Sequence, residues 1–183
     1  MTRSIASLIS CSLLLLIGSA CSKTAPNSTV ESPNATAAVS PSPVAQTITS
    51  ESVVKVAAQP VEIMAGGSAE AIVRVTIQSG YHVNANPPTY AYLKATELEL
   101  SPADGVSFGS VTYPKALSKK LAFAEKPLAI YEGETELKAT LKADKAAKAG
   151  TRSVSARLRI QACDDQVCYA PGALDVSIPV NIK

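Results

Sequence analysis

The stretch Val154-Ser155-Ala156-Arg157-Leu158-Arg159-Ile160 decides the fold class, because apolar and polar residues alternate in it without interruption. A period of two is typical of a β-strand with one buried face and one solvent-exposed face. The last stretch of the chain, residues 174–182, alternates in the same way and follows a short polar segment and Gly172. Together the two stretches predict a β-hairpin near the carboxyl terminus.

Further strand patterns precede this hairpin. Alternation is clear over residues 71–77, 97–100 and 136–142, and shorter apolar segments lie at residues 53–56, 61–64, 106–113 and 128–131. Glycine, proline and aspartate turn signals separate these segments. About seven to nine strands without intervening helices predict an all-β fold, an immunoglobulin-like antiparallel β-sandwich.

Two local features qualify this prediction. Pro179 has no amide hydrogen to donate, so strand 174–182 should be an edge strand or carry a bulge at that position. Alanine and lysine cluster at residues 143–148, where one or two helical turns are expected at most.

The amino terminus has the pattern of an export signal. Arg3 precedes an apolar run over residues 5–17, and the run ends in Gly18-Ser19-Ala20-Cys21, which resembles a bacterial lipobox, although Leu is commoner than Gly at the first of these positions. We predict a lipoprotein signal peptide over residues 1–20 and lipidation of Cys21. An ordinary secretory signal cut near Ala20 and a retained anchor helix are the alternatives. The prediction places the protein in the cell envelope, lipid-anchored to a membrane and facing the periplasm, where disulfides persist.

Residues 21–50 are rich in Ser, Thr, Ala and Pro and show no hydrophobic period, so we predict a disordered tether there. The sandwich domain is expected over residues 51–183, which is one domain of ordinary size. The formal net charge of +2 and the absence of Trp argue against a nucleic-acid partner.

The cysteines direct attention to the terminal hairpin. Of four cysteines, Cys11 leaves with the signal and Cys21 is consumed by lipid, so Cys163 and Cys168 remain as a pair. A four-residue loop would bring the two sulfurs into disulfide range. The closed loop is so short that the bond would stabilise the fold by only about 2 kcal/mol.

The alternation and the neighbouring aspartates also bear on whether Cys163 is accessible and how reactive the thiols are. If Ala162 continues the buried face of its strand, then Cys163 points the other way or lies at the rim, where a partner's sulfur reaches it. Asp164 and Asp165 suit the turn, and their charge should raise the pKa of nearby thiols. On these features, redox exchange, a local structural disulfide, and metal binding with His82 as third ligand all stay open.

Three segments together resemble a known family. Residues 162–171, 81–88 and 96–98 are similar to the amino-terminal periplasmic domain of DsbD, the thiol:disulfide interchange protein. The resemblance implies an immunoglobulin-like sandwich with its redox pair on a terminal hairpin, which takes electrons from a thioredoxin-like domain and passes them to exported thiol proteins. It also implies that Cys168 forms the mixed disulfide and that Cys163 resolves it.

The resemblance extends to the surroundings of the pair. The family shields its disulfide with a loop that carries an aromatic side chain, and residues 120–125 make Phe123 the candidate cap, unless it is an ordinary core residue. Tyr81, His82 and Tyr169 are candidates to line the site, or else they serve only the packing of the sandwich rim. Ala170 departs from the family by replacing the first residue of its usual Pro-Pro.

Full DsbD continues into a membrane electron conduit and a thioredoxin-like domain, which this sequence lacks. We therefore expect envelope thiol-disulfide exchange in which reducing equivalents are carried between thioredoxin-like partners, or from a membrane electron-conduit protein in trans, without cofactor or metal. The alternative is a non-catalytic envelope interaction module in which the same pair is a structural disulfide.

Overall fold

A computed structural model describes residues 47–183. The predicted signal peptide, Cys21 and most of the predicted tether lie outside the described residues. A single 3₁₀ turn, Glu51–Val53, opens this part of the chain, and strands form the rest of its regular structure. The strands are β1 (Val54–Ala58), β2 (Val61–Ile63), β3 (Ser68–Ile77), β4 (His82–Asn84), β5 (Glu97–Leu100), β6 (Val106–Thr112), β7 (Leu117–Lys119), β8 (Leu128–Tyr131), β9 (Glu134–Ala143), β10 (Gly150–Ile160), β11 (Ala162–Cys163) and β12 (Gly172–Ile182).

Two four-stranded sheets form the predicted sandwich, which confirms the all-β, immunoglobulin-like fold. Their strand orders are β1-β3-β9-β6 and β2-β12-β10-β5. The predicted carboxyl-terminal hairpin is present, because β10 and β12 pair without a break from Gly150 opposite Ile182 to Ile160 opposite Gly172. Alternate residues of both sheets are buried in one apolar core, as the period of two requires; β10, for example, contributes Val154, Ala156, Leu158 and Ile160.

A third, small sheet was not predicted, and its strand β11 contains Cys163. Its order is β11-β4-β8-β7, and of these strands only β8 had been expected. The other three are two or three residues long, and every residue of β4 is buried. So short a strand, buried on both faces, has no alternation to detect. A second apolar cluster of Leu121, Ala124, Leu128 and Ile130 lies under this sheet.

Strand β12 shows how the fold accommodates Pro179. The strand has β10 on one side along its whole length, whereas on the other side β2 pairs in parallel only from Val180 to Ile182. The amide of Ala173 donates to the Glu51 carboxylate instead of to β10, so odd-numbered residues of β12 direct their amides away from β10. Pro179 therefore sits where β12 is locally an edge, as predicted, while the parallel β2 pairing departs from a purely antiparallel sandwich.

Residues 143–148 do not form the expected helical turns. Ala143 is the last residue of β9, and residues 144–148 form a turn in which the Ala147 amide donates to the Asp144 carbonyl. Pairing of β9 with β6 extends to Ala143, so the tertiary contacts override the helical tendency of the alanines. No helix in the described part of the chain is long and apolar enough to cross a membrane.

Candidate functional site

Cys163 and Cys168 form a disulfide at the end of the terminal hairpin, with their Cα atoms 3.9 Å apart. The turn between them is held by Asp164, whose Oδ1 atom accepts hydrogen bonds from the amides of Gln166 and Val167, each at 2.8 Å. The Asp164 amide in turn donates to the Val167 carbonyl. An aspartate that bonds the backbone two and three residues ahead stabilises such a tight turn.

The two sulfurs differ in burial, and the parity prediction for Cys163 was wrong. Gln161 interrupts the strand between β10 and β11, so Ala162 and Cys163 are both fully buried. The strand changes partner at this point, because β11 pairs with β4 of the third sheet. Cys168 is only half-buried. An incoming sulfur therefore has access from the side of Cys168.

Cys168 lies in a groove of about 350 Å³ with a mostly apolar lining. Its rim includes three exposed hydrophobic side chains: Tyr92 is 73% exposed, Val167 51% and Phe123 45%. The remaining lining residues are Leu93, Ala124, Leu128, Gln161 and Gln166. The structure thus places Phe123, the candidate cap, in the same groove as Cys168 rather than in the core.

Phe123 belongs to the segment of residues 120–127 between β7 and β8, here called the Phe123 loop. The loop is tied at both ends, because Lys120 Nζ donates to the carbonyls of Ala124 and Glu125, and the Lys126 amide donates to the Tyr90 hydroxyl. Within the loop, Leu121 and Ala124 are buried in the second apolar cluster. The loop therefore presents one aromatic side chain outward from an anchored base.

Gln161 was missed by the sequence analysis, although it connects three parts of the site. Its Oε1 atom accepts from the Asn84 side chain at 3.1 Å and from the Lys94 amide at 3.0 Å. Its Nε2 atom donates to the carbonyl of Tyr169, at 3.2 Å. Gln161 thus joins β4, through Asn84, and the segment before β5, through Lys94, to the hairpin beside Cys168. The one sequence signal that could have identified Gln161 is that it is a polar residue at the point where the alternation of β10 ends.

Tyr81 and Tyr169 pack against each other with ring centroids 6.0 Å apart, and neither is among the residues that line the groove. The Tyr169 hydroxyl donates to Asp164 Oδ2 at 2.6 Å. The carboxylate raises the pKa of Tyr169 to about 12, and the hydroxyl, followed by the two turn amides, lowers the pKa of Asp164. This pair braces the turn that holds the disulfide.

His82 is fully buried on β4, directly across the ladder from Cys163. Burial lowers the pKa of its imidazole, and the positive charge of Lys119 adds to this effect. Lys119 itself forms ion pairs with Glu132 at 2.5 Å and Asp165 at 3.3 Å. Within residues 47–183, no group of three or more His, Cys, Asp and Glu side chains is placed to hold a metal ion.

Ser50, the last residue of the predicted tether, is buried against the hairpin. Its hydroxyl donates to the Ala170 carbonyl at 2.6 Å and accepts from the Ala162 amide at 3.0 Å. The chain therefore enters the domain beside the disulfide, and Ala170 supplies one of the two contacts.

The sequence model described as "Thiol:disulfide interchange protein DsbD, N-terminal" matches residues 49–178. The amino-terminal domain of DsbD from Neisseria meningitidis, in its reduced form, is 21% identical, with a TM-score of 0.47, and the match covers 73% of this chain and 90% of that one. The amino-terminal periplasmic domain of ScsB from Proteus mirabilis is 15% identical, with a TM-score of 0.47, over 68% of this chain and 44% of that one. No curated protein matches the sequence.

Proposed function

The chain belongs to the family of DsbD amino-terminal domains, and from this premise we propose that it carries reducing equivalents between thioredoxin-like proteins of the cell envelope through the Cys163–Cys168 disulfide. The observation that carries the proposal is the unequal burial of the two sulfurs. Cys168 faces a groove, whereas Cys163 is fully buried behind it. Nucleophilic attack on a disulfide needs a straight approach to one sulfur, and this arrangement selects Cys168.

The exchange proceeds in two steps. A thiolate of the electron donor attacks Cys168 Sγ, the bond to Cys163 breaks, and its electron pair leaves on Cys163 Sγ, which takes up a proton. The donor's second thiol then loses its proton and attacks the donor sulfur in the mixed disulfide, so that the donor is oxidised and Cys168 is released reduced. Delivery to an acceptor disulfide repeats these steps in reverse, with Cys168 as attacking sulfur and Cys163 as resolving sulfur.

The charges of the turn favour exchange within a docked complex over exchange with free thiols. Asp164 and Asp165 lie in the turn between the two cysteines, and negative charge disfavours a nearby thiolate. Docking of a thioredoxin-like partner on the apolar rim of Tyr92, Phe123 and Val167 would bring its own activated cysteine to Cys168.

Phe123 acts in this proposal as a removable shield over Cys168. Its side chain lies at the groove, and its loop is anchored through Lys120 and Tyr90, so the ring can turn aside while the base stays in place. Replacing Phe123 by Ala should accelerate reduction of the disulfide by dithiothreitol severalfold. Phe108, the other phenylalanine, is 39% exposed on β6 and provides a matched control that should leave the rate unchanged.

The location in the envelope rests on the sequence of the amino terminus. A lipidated Cys21 and a tether over residues 21–50 would hold the domain at a periplasm-facing membrane surface, within reach of thioredoxin-like proteins or of a membrane electron conduit. Labelling of Cys21 by radioactive palmitate, abolished by Cys21→Ser, is the expected result. A chain that is released unlabelled into the periplasm contradicts the anchor.

A redox titration combined with trapping tests the function. We expect the pair to equilibrate with glutathione at about −180 to −270 mV, the range of thioredoxin-like proteins, whereas a structural disulfide resists reduction below about −300 mV. Cys163→Ser should accumulate mixed disulfides with envelope proteins, and the matched Cys168→Ser variant should accumulate none. A potential below that range, with no trapped complexes, would establish the alternative, a non-catalytic interaction module.

A further inference from the structure

His82 is a buried histidine whose two ring nitrogens both lack a hydrogen-bond partner. It is 0% exposed, and neither Nδ1 nor Nε2 is paired. Buried polar side-chain atoms in proteins are nearly always paired, and an exception calls for an explanation, of which a redox or catalytic role is one. It is also the one histidine of the sequence.

The position of His82 supplies that explanation. His82 and Cys163 are directly opposite in the antiparallel ladder of β4 and β11. Side chains of opposite residues share one face of the sheet, with their Cβ atoms about 4.5–5.5 Å apart. Cys163 is 0% exposed, so the imidazole is a polar neighbour of a sulfur that water does not reach. While the disulfide is intact, that sulfur has no proton to share; on reduction it becomes a thiol that donates and accepts hydrogen bonds.

The charged groups around His82 are already paired with one another. Lys119 on β7 binds Glu132 and Asp165, and Asp164 accepts from Tyr169 and two turn amides. The positive charge of Lys119 and burial both lower the pKa of His82, against a smaller opposing effect of the three carboxylates. The imidazole is therefore neutral near pH 7 and has one nitrogen free to accept a proton.

We propose that His82 accepts the proton of the Cys163 thiol when Cys163 resolves a mixed disulfide at Cys168. This inference rests on the proposed function. The proton moves from Cys163 Sγ to the imidazole, the Cys163–Cys168 bond forms, and the bond from Cys168 to the partner breaks with its electron pair on the partner sulfur. The imidazolium then returns its proton to the departing thiolate or to water. In the opposite direction, the ring first takes up a proton from water and then gives it to the Cys163 thiolate as that sulfur leaves.

The resolving step can be timed directly. In the full chain with Cys11→Ser and Cys21→Ser, Cys163 and Cys168 are the only thiols, and reaction of the reduced protein with 5,5′-dithiobis(2-nitrobenzoate) gives a mixed disulfide at Cys168. Release of the second thionitrobenzoate reports attack by Cys163. His82→Phe keeps a ring without nitrogens and should slow this release by about 100-fold at pH 7, the usual size of a general-base effect, with the rate then rising as pH approaches the thiol pKa.

The outcomes separate the two proposals. If no mixed disulfide forms at Cys168, the proposed function fails; if it forms and His82→Phe resolves it with the rate and pH profile of the parent chain, the role of His82 is refuted. Should His82→Phe not fold, nuclear magnetic resonance of the parent chain decides, because a single histidine gives a single set of ring signals. We expect the ring ¹⁵N shifts to change on reduction, and identical shifts in both redox states overturn the proposal.

Discussion

Removal of the Ser50 hydroxyl tests whether the residue at the entrance of the domain holds the disulfide hairpin in place. In the folded chain this one oxygen serves two backbone groups that lie on either side of the disulfide, the Ala162 amide and the Ala170 carbonyl. Ser50→Ala removes both hydrogen bonds and changes little in volume. The two groups then differ in their access to water.

The expected loss of stability in Ser50→Ala follows from that difference in access to water. Ala170 is exposed, so its carbonyl is rehydrated at little cost. Ala162 is 0% exposed, and its amide is left buried without an acceptor, which costs about 1–3 kcal/mol. For a domain of this size, the loss corresponds to a fall in Tm of about 3–12 °C.

Urea unfolding of the oxidised protein, followed by far-ultraviolet circular dichroism, measures the change. Ser155→Ala is the matched control, because Ser155 is exposed on β10 and its hydroxyl holds no buried group; it should stay within about 0.5 kcal/mol of the parent. Amide hydrogen exchange at Ala162 should accelerate in Ser50→Ala alone. If both variants unfold at the same urea concentration as the parent chain, Ser50 does not brace the hairpin and the reasoning is refuted.

Two further predictions concern protons. Because burial lowers the pKa of His82, the unfolded chain binds a proton near pH 6.5 while the folded chain does not, so the free energy of unfolding should fall by up to about 1.4 kcal/mol per pH unit below pH 6.5. His82→Phe should remove this slope between pH 6.5 and 5, and an unchanged slope would contradict the assignment. In the reduced protein, the neighbouring carboxylates should keep the acidity of the Cys168 thiol at or below that of a free cysteine, and Asp165→Asn should increase that acidity. Iodoacetamide alkylation rates against pH measure it, and a strongly acidic thiol in the parent chain would show that other groups outweigh these charges.

The long strands were predictable because a sandwich buries one face of each strand. In β10 and β12 the buried residues are the alternate apolar ones, and the same holds for β3 and β9. Such a pattern is local and is visible in the sequence. Pro179 was also informative, since a missing amide hydrogen restricts the ladder wherever the strand lies.

The disulfide of the site was predictable from the sequence, whereas the burial of its two sulfurs was not. Cys163 and Cys168 are close in sequence, so their disulfide required no knowledge of the fold. Which sulfur is buried depended on Gln161, where the chain leaves one sheet and joins another, and on β4, whose pairing with β11 buries Cys163 opposite His82. A strand of two residues has no periodic signal from which such a change of sheet could be predicted.

The sequence by itself determined the all-β fold class and the Cys163–Cys168 disulfide, because each depends on residues within about ten positions of one another. The tertiary structure alone decided that Ser50 and Gln161 hold the hairpin and that His82 lies opposite the buried Cys163, although Ser50 and His82 are far from the disulfide along the chain. The physical reason is that burial and access depend on contacts between distant segments, and only the packing of the third sheet leaves Cys168 at a groove while it encloses Cys163.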